Sequence, residues 1–205
     1  MIFAALAAVA SLSAASQPAD LPPVLVVIHS AEGDITLALD VDNAPTTTCN
    51  FLKYIDAGRY RNARFFRTVV RETNDNPNPI DVIQAETTAG SDDPGFGSIP
   101  LERTRDTGLK HLAGTISMAR DGPDTATSSF FLVTQDTPSL DFGGGRNPDG
   151  EGFAAFGRIT QGLDVARRIQ RQAAVAEQLT LPVAIADIER LGPVPAICTA
   201  FEPAQ

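Results

Sequence analysis

The chain has 205 residues, enough for one domain of ordinary to large size, and its 43% hydrophobic against 20% charged side chains can bury a substantial core, which excludes a disordered chain. Sixteen Lys and Arg against 25 Asp and Glu leave a formal net charge of −9 with no basic block anywhere. That excludes a nucleic-acid binder, because neutralising phosphates takes clustered cations.

From the N-terminus, Met1 to Ala15 carry no charged side chain. Ile2 to Ala10 is an apolar run too short to span a bilayer, and Ser13-Ala14-Ala15 fits a small-x-small cleavage site. This predicts a signal peptide over 1–15 and a periplasmic or secreted protein; an N-terminal core strand or helix is the other reading. A Pro-rich lead-in covers 16–23, a single domain 24–192 and a tail 193–205.

Within the domain, Val24 to Ser30 is apolar and β-branched, Glu32-Gly33-Asp34 makes a turn, and Ile35, Leu37 and Leu39 alternate with Thr36, Ala38 and Asp40. Together they predict a hairpin. Asn43-Ala44-Pro45 opens a helix with Pro in its first turn, Phe51, Leu52 and Ile55 form its apolar stripe, and Gly58 ends it. Ala63 to Val70 reads as a strand with Phe65, Arg67 and Val69 on one face. Asn74 to Pro79 is a polar loop, Ile80 to Glu86 a strand, and Thr88 to Gly97 a long loop. Short strands over Thr115–Ala119 and Ser129–Thr134 flank the turn cluster Arg120-Asp121-Gly122-Pro123-Asp124. A second long loop, Pro138 to Gly152, contains Gly143-Gly144-Gly145. A strand over Phe153–Thr160, an amphipathic helix from Leu163 continuing towards Ala176, and a closing strand over Val183–Leu191 complete the domain. Many short strands with two helices predict a mainly β fold, a closed antiparallel barrel capped by two α-helices.

Standard catalytic constellations are missing. His29 and His111 do not make a zinc cluster with the cysteines, and His29 alternates within a strand as a structural side chain. No G-x-S-x-G elbow is present, and the triple glycine is not followed by Lys-Ser/Thr at a helix start. The sequence shows no base–nucleophile pair. Cys49 and Cys198 either form a disulfide, worth roughly 4–5 kcal/mol in the chain-entropy model, or are two unrelated buried thiols.

What remains is a set of strand segments in a particular order: Phe65-Phe66-Arg67, Val82-Ile83-Gln84, Gly114-Thr115-Ile116-Ser117-Met118-Ala119, Ser128-Ser129-Phe130-Phe131 and Phe153-Ala154-Ala155-Phe156-Gly157. Leu109-Lys110-His111 and Gly122-Pro123-Asp124-Thr125 fall between them. In order and wording these segments resemble the cyclophilin-type peptidyl-prolyl cis-trans isomerases, of a bacterial, exported kind, from about Val24 to Gly192.

The resemblance implies an eight-stranded barrel with an outer peptide groove, proline-containing polypeptides as partners, a monomer, and neither cofactor nor metal. It implies that Arg67 is catalytic and that Gln84 stands beside it. Val82 (usually Met), Phe131 and Leu140 would wall a proline pocket. Ala119 and Arg120 would meet the substrate backbone, and Phe153 falls where the family has His or Tyr. Three positions depart from the pattern: Ser129 replaces a glutamine, Ser139 replaces Trp or Phe, and Asp81 stands where a pocket aromatic is usual, leaving one wall unassigned. Sixteen residues separate Arg67 from Gln84, a longer connection than is typical. Arg71 competes with Arg67 for the catalytic role.

The chemistry agrees. Rotation about an X–Pro bond breaks amide resonance against a barrier of about 18–20 kcal/mol, and no bond is cleaved. An apolar slot for the pyrrolidine ring and a fixed donor that favours the twisted amide suffice. The alternative is a proline-peptide binding module or holdase chaperone with little turnover.

Overall fold

The computed structural model describes residues 23–90 and 94–199; the expected leader and nearly all of the lead-in lie outside the described residues. Among the described residues nine strands run in chain order: β1 (Val24–Ser30), β2 (Gly33–Leu39), β3 (Ala63–Val69), β4 (Val82–Glu86), β5 (Thr115–Met118), β6 (Phe130–Val133), β7 (Ala155–Gln161), β8 (Ala174–Val175) and β9 (Gln178–Leu191). Neighbours pair in the order β1-β2-β7-β5-β6-β4-β3-β9, and β9 pairs back with β1. That closes an eight-stranded antiparallel barrel, with the two-residue β8 folded onto β9 as a side hairpin.

The alternation in β1 and β2 does what it predicts. Val26, Ile28, Ile35 and Leu37 are fully buried, and Val24↔Leu39 to Ser30↔Gly33 pair without a slip. Helix α1 (Pro45–Asp56) begins with Pro at its first position. Ala44 offers no side-chain cap; instead the Glu102 carboxylate accepts from the Thr46 and Thr47 N–H groups at 2.9 and 2.8 Å. Two single turns, α2 (Thr104–Thr107) and α4 (Ala196–Thr199), join the longer α3 (Leu163–Gln170). The helix expected to continue towards Ala176 stops at Gln170, whose side chain turns inward. It accepts from Thr134 Oγ1 (2.8 Å) and donates to the Val69 carbonyl (3.0 Å).

The sheet has two apolar faces. Ile83, Ala85, Phe130 and Leu132 point into the barrel and meet Phe51, Tyr60, Phe65 and Phe156. Phe51 meets Phe130 edge-on at 5.3 Å, and the Tyr60 hydroxyl donates to the Ser128 carbonyl at 2.7 Å, so that buried hydroxyl is satisfied. The alternate residues Val82, Phe131 and Val133 point outward and gather Val69, Ile80, Leu140 and Phe153 into a second cluster. Cys49 and Cys198 are joined by a disulfide that ties α4 to α1, with Cα atoms 5.1 Å apart.

Candidate active site on the outer face of the barrel

The second cluster is the floor of a cleft of about 270 Å³. All nine residues expected in the site line it: Arg67, Val82, Gln84, Ala119, Arg120, Ser129, Phe131, Leu140 and Phe153. Phe131 is 4% exposed, packs edge-on against Phe153 at 5.5 Å and lies parallel to the His111 ring at 6.1 Å. With Val82 and Leu140 these rings make a rigid apolar slot.

Simple alternation would have put Arg67 on the face of Phe65, inside the barrel. The structure corrects this. Phe65 pairs with Ala85 and Arg67 with Gln84, so Phe66 is the extra residue of a bulge. A bulge shifts the following side chains to the other face. Phe65 stays in the core and Arg67 emerges at the cleft.

There the guanidinium is held on two sides. Nε donates to Glu177 Oε2 at 3.0 Å, Nη2 donates to the same oxygen, and Nη1 donates to Gln84 Oε1 at 2.8 Å. Gln84 Nε2 donates to Ser129 Oγ (3.1 Å), which donates to the Ala85 carbonyl (2.8 Å). Ser129 therefore sets the amide of Gln84, and through it Arg67. Of the five N–H donors of a guanidinium, three are engaged and two remain.

Arg120 is tied down more fully. It donates to the Gly152 carbonyl and to both oxygens of Asp149, and its Cζ lies 4.9 Å above the Phe153 ring. The Arg120 hydrogen bonds hold the Asp149 carboxyl below the usual carboxylate range. Arg71 does not reach the cleft lining; its backbone N–H and Nε donate to Asp81, a fully buried carboxylate that also accepts from Gln170 Nε2 at 3.2 Å. Asp81 thus turns away from the slot, and the unassigned wall is supplied by Ile80, one residue earlier and 5% exposed. Ser139 lies outside the cleft lining and donates to the Pro79 carbonyl at 3.2 Å.

Sequence reasoning missed Ile80, Glu177 and Arg146, all at or behind the cleft. Ile80 was readable as the first residue of its apolar strand; Glu177 and Arg146 carried no local signal. It also missed a base–hydroxyl pair. His111 Nδ1 donates to Asp141 Oδ1 at 2.8 Å, and Nε2 accepts from Ser117 Oγ at 3.0 Å. Ser117 is wholly buried, so no substrate reaches it, and the line of three acts as a brace behind Phe131. Burial pushes the His111 pKa down, with Asp141 opposing. Burial works against ionisation of Asp141, but hydrogen bonds from the His111 ring and backbone together bring its carboxyl below the usual range.

The arrangement can seat a small apolar ring against Phe131 and present two fixed N–H donors to a group at its edge. Comparison with known proteins points the same way. Residues 24–190 match the family model described as cyclophilin type peptidyl-prolyl cis-trans isomerase/CLD. The chain is 33% identical over 172 residues to peptidyl-prolyl cis-trans isomerase A of Dickeya dadantii, covering 83% of this chain and 84% of that one. It is 32% identical over 151 residues to peptidyl-prolyl cis-trans isomerase B of Escherichia coli, covering 71% and 84%. A Cryptosporidium parvum cyclophilin-type isomerase shares the fold with a TM-score of 0.68 at 22% identity, over 84% of this chain and 99% of that one. The same protein crystallised in the presence of the dipeptide Ala-Pro gives a TM-score of 0.63 at 20% identity, over 82% and 99%.

Proposed function

The chain belongs to the cyclophilin-type peptidyl-prolyl cis-trans isomerases and catalyses cis/trans isomerisation about X–Pro bonds in polypeptides, and from that premise we propose that Arg67 is its catalytic group and the Phe131 slot its proline pocket. The observation that carries the assignment is the placement of the Arg67 guanidinium, with two uncommitted donors, at the edge of the slot lined by Val82, Ile80, Phe131 and Leu140.

As the amide twists, conjugation is lost and the imide nitrogen regains a lone pair. A fixed N–H donor stabilises that state more than the planar ground states, which lowers the barrier in both directions. Glu177 and Gln84 keep the donors aimed without any proton transfer. Apolar walls hold the ring and exclude water from the rotating bond. A 10⁵-fold acceleration needs about 7 kcal/mol, shared among these terms.

Exchange spectroscopy on an Ala-Pro peptide tests this. Micromolar protein accelerates exchange and Arg67→Ala abolishes the acceleration; an Arg67→Ala variant as fast as wild type removes Arg67 from the role. Saturable peptide binding without faster exchange would favour the holdase reading.

The protein acts on proline-containing segments as a monomer, without nucleic acid, after export to the periplasm or beyond. The charge-free Met1–Ala15 stretch and the disulfide support export. Cleavage after Ala15 leaves a chain beginning at Ser16; a full-length mass for the exported protein would refute it.

A further inference from the structure

The polar loop before Ile80 and the Gly-rich segment after Leu140 meet at one rim of the cleft. Asn78 Nδ2 donates to the Gly145 carbonyl at 2.8 Å, and the Arg146 N–H donates to the Ser139 carbonyl at 3.0 Å. Between them lies the Arg146 side chain, part of the cleft lining. Its Nη1 donates to Asn74 Oδ1 at 2.8 Å and to the Asn78 carbonyl at 3.4 Å. Both acceptors are neutral, so they fix the guanidinium without cancelling its charge.

The other two arginines of the lining are paired, Arg67 with Glu177 and Arg120 with Asp149. Arg146 has no carboxylate partner among the described residues, and its Nε and Nη2 have no acceptor there. The arrangement carries a visible cost: burial first, then the neighbouring Arg67, lower the Arg146 pKa, with Glu177 opposing. A half-buried, oriented, unpaired guanidinium at the mouth of a peptide cleft, in a chain of net charge −9, needs a counter-charge from outside. Asp121 also lines the cleft and is exposed; it disfavours acidic groups that come near it, so any selection depends on position along the bound peptide.

We propose that Arg146 forms a carboxylate subsite beside the proline slot, so that favoured substrates carry an Asp or Glu side chain, or a free chain terminus, at the one position that lies against it. This rests on the isomerase reading above.

The test measures kcat/KM by exchange spectroscopy on blocked Ala-Pro peptides with Glu, Gln or Lys placed in turn at each position from two before the proline to two after it. A further pair ends shortly after proline with a free or an amidated terminus. At one position the Glu peptide is isomerised roughly fivefold faster than the Gln peptide, and the advantage shrinks as salt rises. Superiority of the free over the amidated terminus alone assigns the subsite to chain ends. Arg146→Gln erases the preference, and Arg146→Glu turns it towards Lys, a reversal that a merely loosened loop does not produce. Equal turnover of all peptides by wild type overturns the subsite while leaving the isomerase reading intact, whereas no acceleration of any peptide overturns both.

Discussion

Arg67, the group proposed as catalytic, has its charge largely balanced by Glu177, and for that role the balance is useful. The twisted amide needs a hydrogen-bond donor at a fixed point more than it needs net charge. A free arginine stem carries about 2 kcal/mol of rotamer entropy, which Glu177 and Gln84 remove before substrate arrives. Behind the slot, His111 has the opposite character, buried and neutral. Its folded-state pKa lies below the unfolded value of 6.5. Below pH 6.5 the unfolded chain therefore binds a proton that the native state refuses, and the stability due to His111, full above 6.5, declines as pH falls towards the native pKa. His29, raised by its hydrogen bond to Asp34, works in the other sense, contributing stability below 6.5 that is lost as pH rises through its native pKa. The two contributions are separated by a variant. Urea midpoints of wild type fall more between pH 7.5 and 5.5 than those of His111→Asn, and an equal fall in both would exclude His111 as the source.

Two local irregularities build the site at the level of elements. The bulge at Phe66 lets one strand serve the core with Phe65 and the cleft with Arg67. The β8–β9 turn places Ala176 at φ 48° and Glu177 at φ 67°, both left-handed and neither a glycine. Two-residue hairpin loops adopt such angles readily with Asn-Gly, whereas Ala pays roughly 1–2 kcal/mol. Glu177 occupies its strained position while its carboxylate grips Arg67, which accounts for a charged residue there; Ala176 has no such tie. Ala176→Asn is expected to raise stability by about 0.5–1 kcal/mol, read as a higher urea midpoint. An unchanged or lower midpoint would mean that the turn is not strained.

For the whole molecule, closure of β9 onto β1 leaves no open edge in the main ring, and α1 and α3 complete its core. The disulfide adds a covalent closure between residues 149 positions apart, pinning the single turn α4. In the chain-entropy model so long a loop is worth roughly 4–5 kcal/mol, and at this size each kcal/mol moves Tm by about 2–4 °C. Reduction, or Cys49→Ala with Cys198→Ala, is expected to lower Tm by about 10–20 °C in a calorimetric scan. A shift of one or two degrees would show that the bridge restrains only the tail.

The hairpin, α1, the succession of strands along the chain and most of the cleft-lining residues were legible in the sequence, because periods of two and 3.6 and short motif wordings are local properties of the chain. The face on which Arg67 emerges, the replacement of Asp81 by Ile80 in the wall, the carboxylate that reaches Arg67 across 110 positions and the unpaired state of Arg146 were decided only by the tertiary structure. A bulge changes which face a side chain takes without altering the apolar pattern around it. Partners brought together by barrel closure and by two long loops leave no periodic trace in either segment, since register and loop path, rather than neighbouring residues, determine who meets whom.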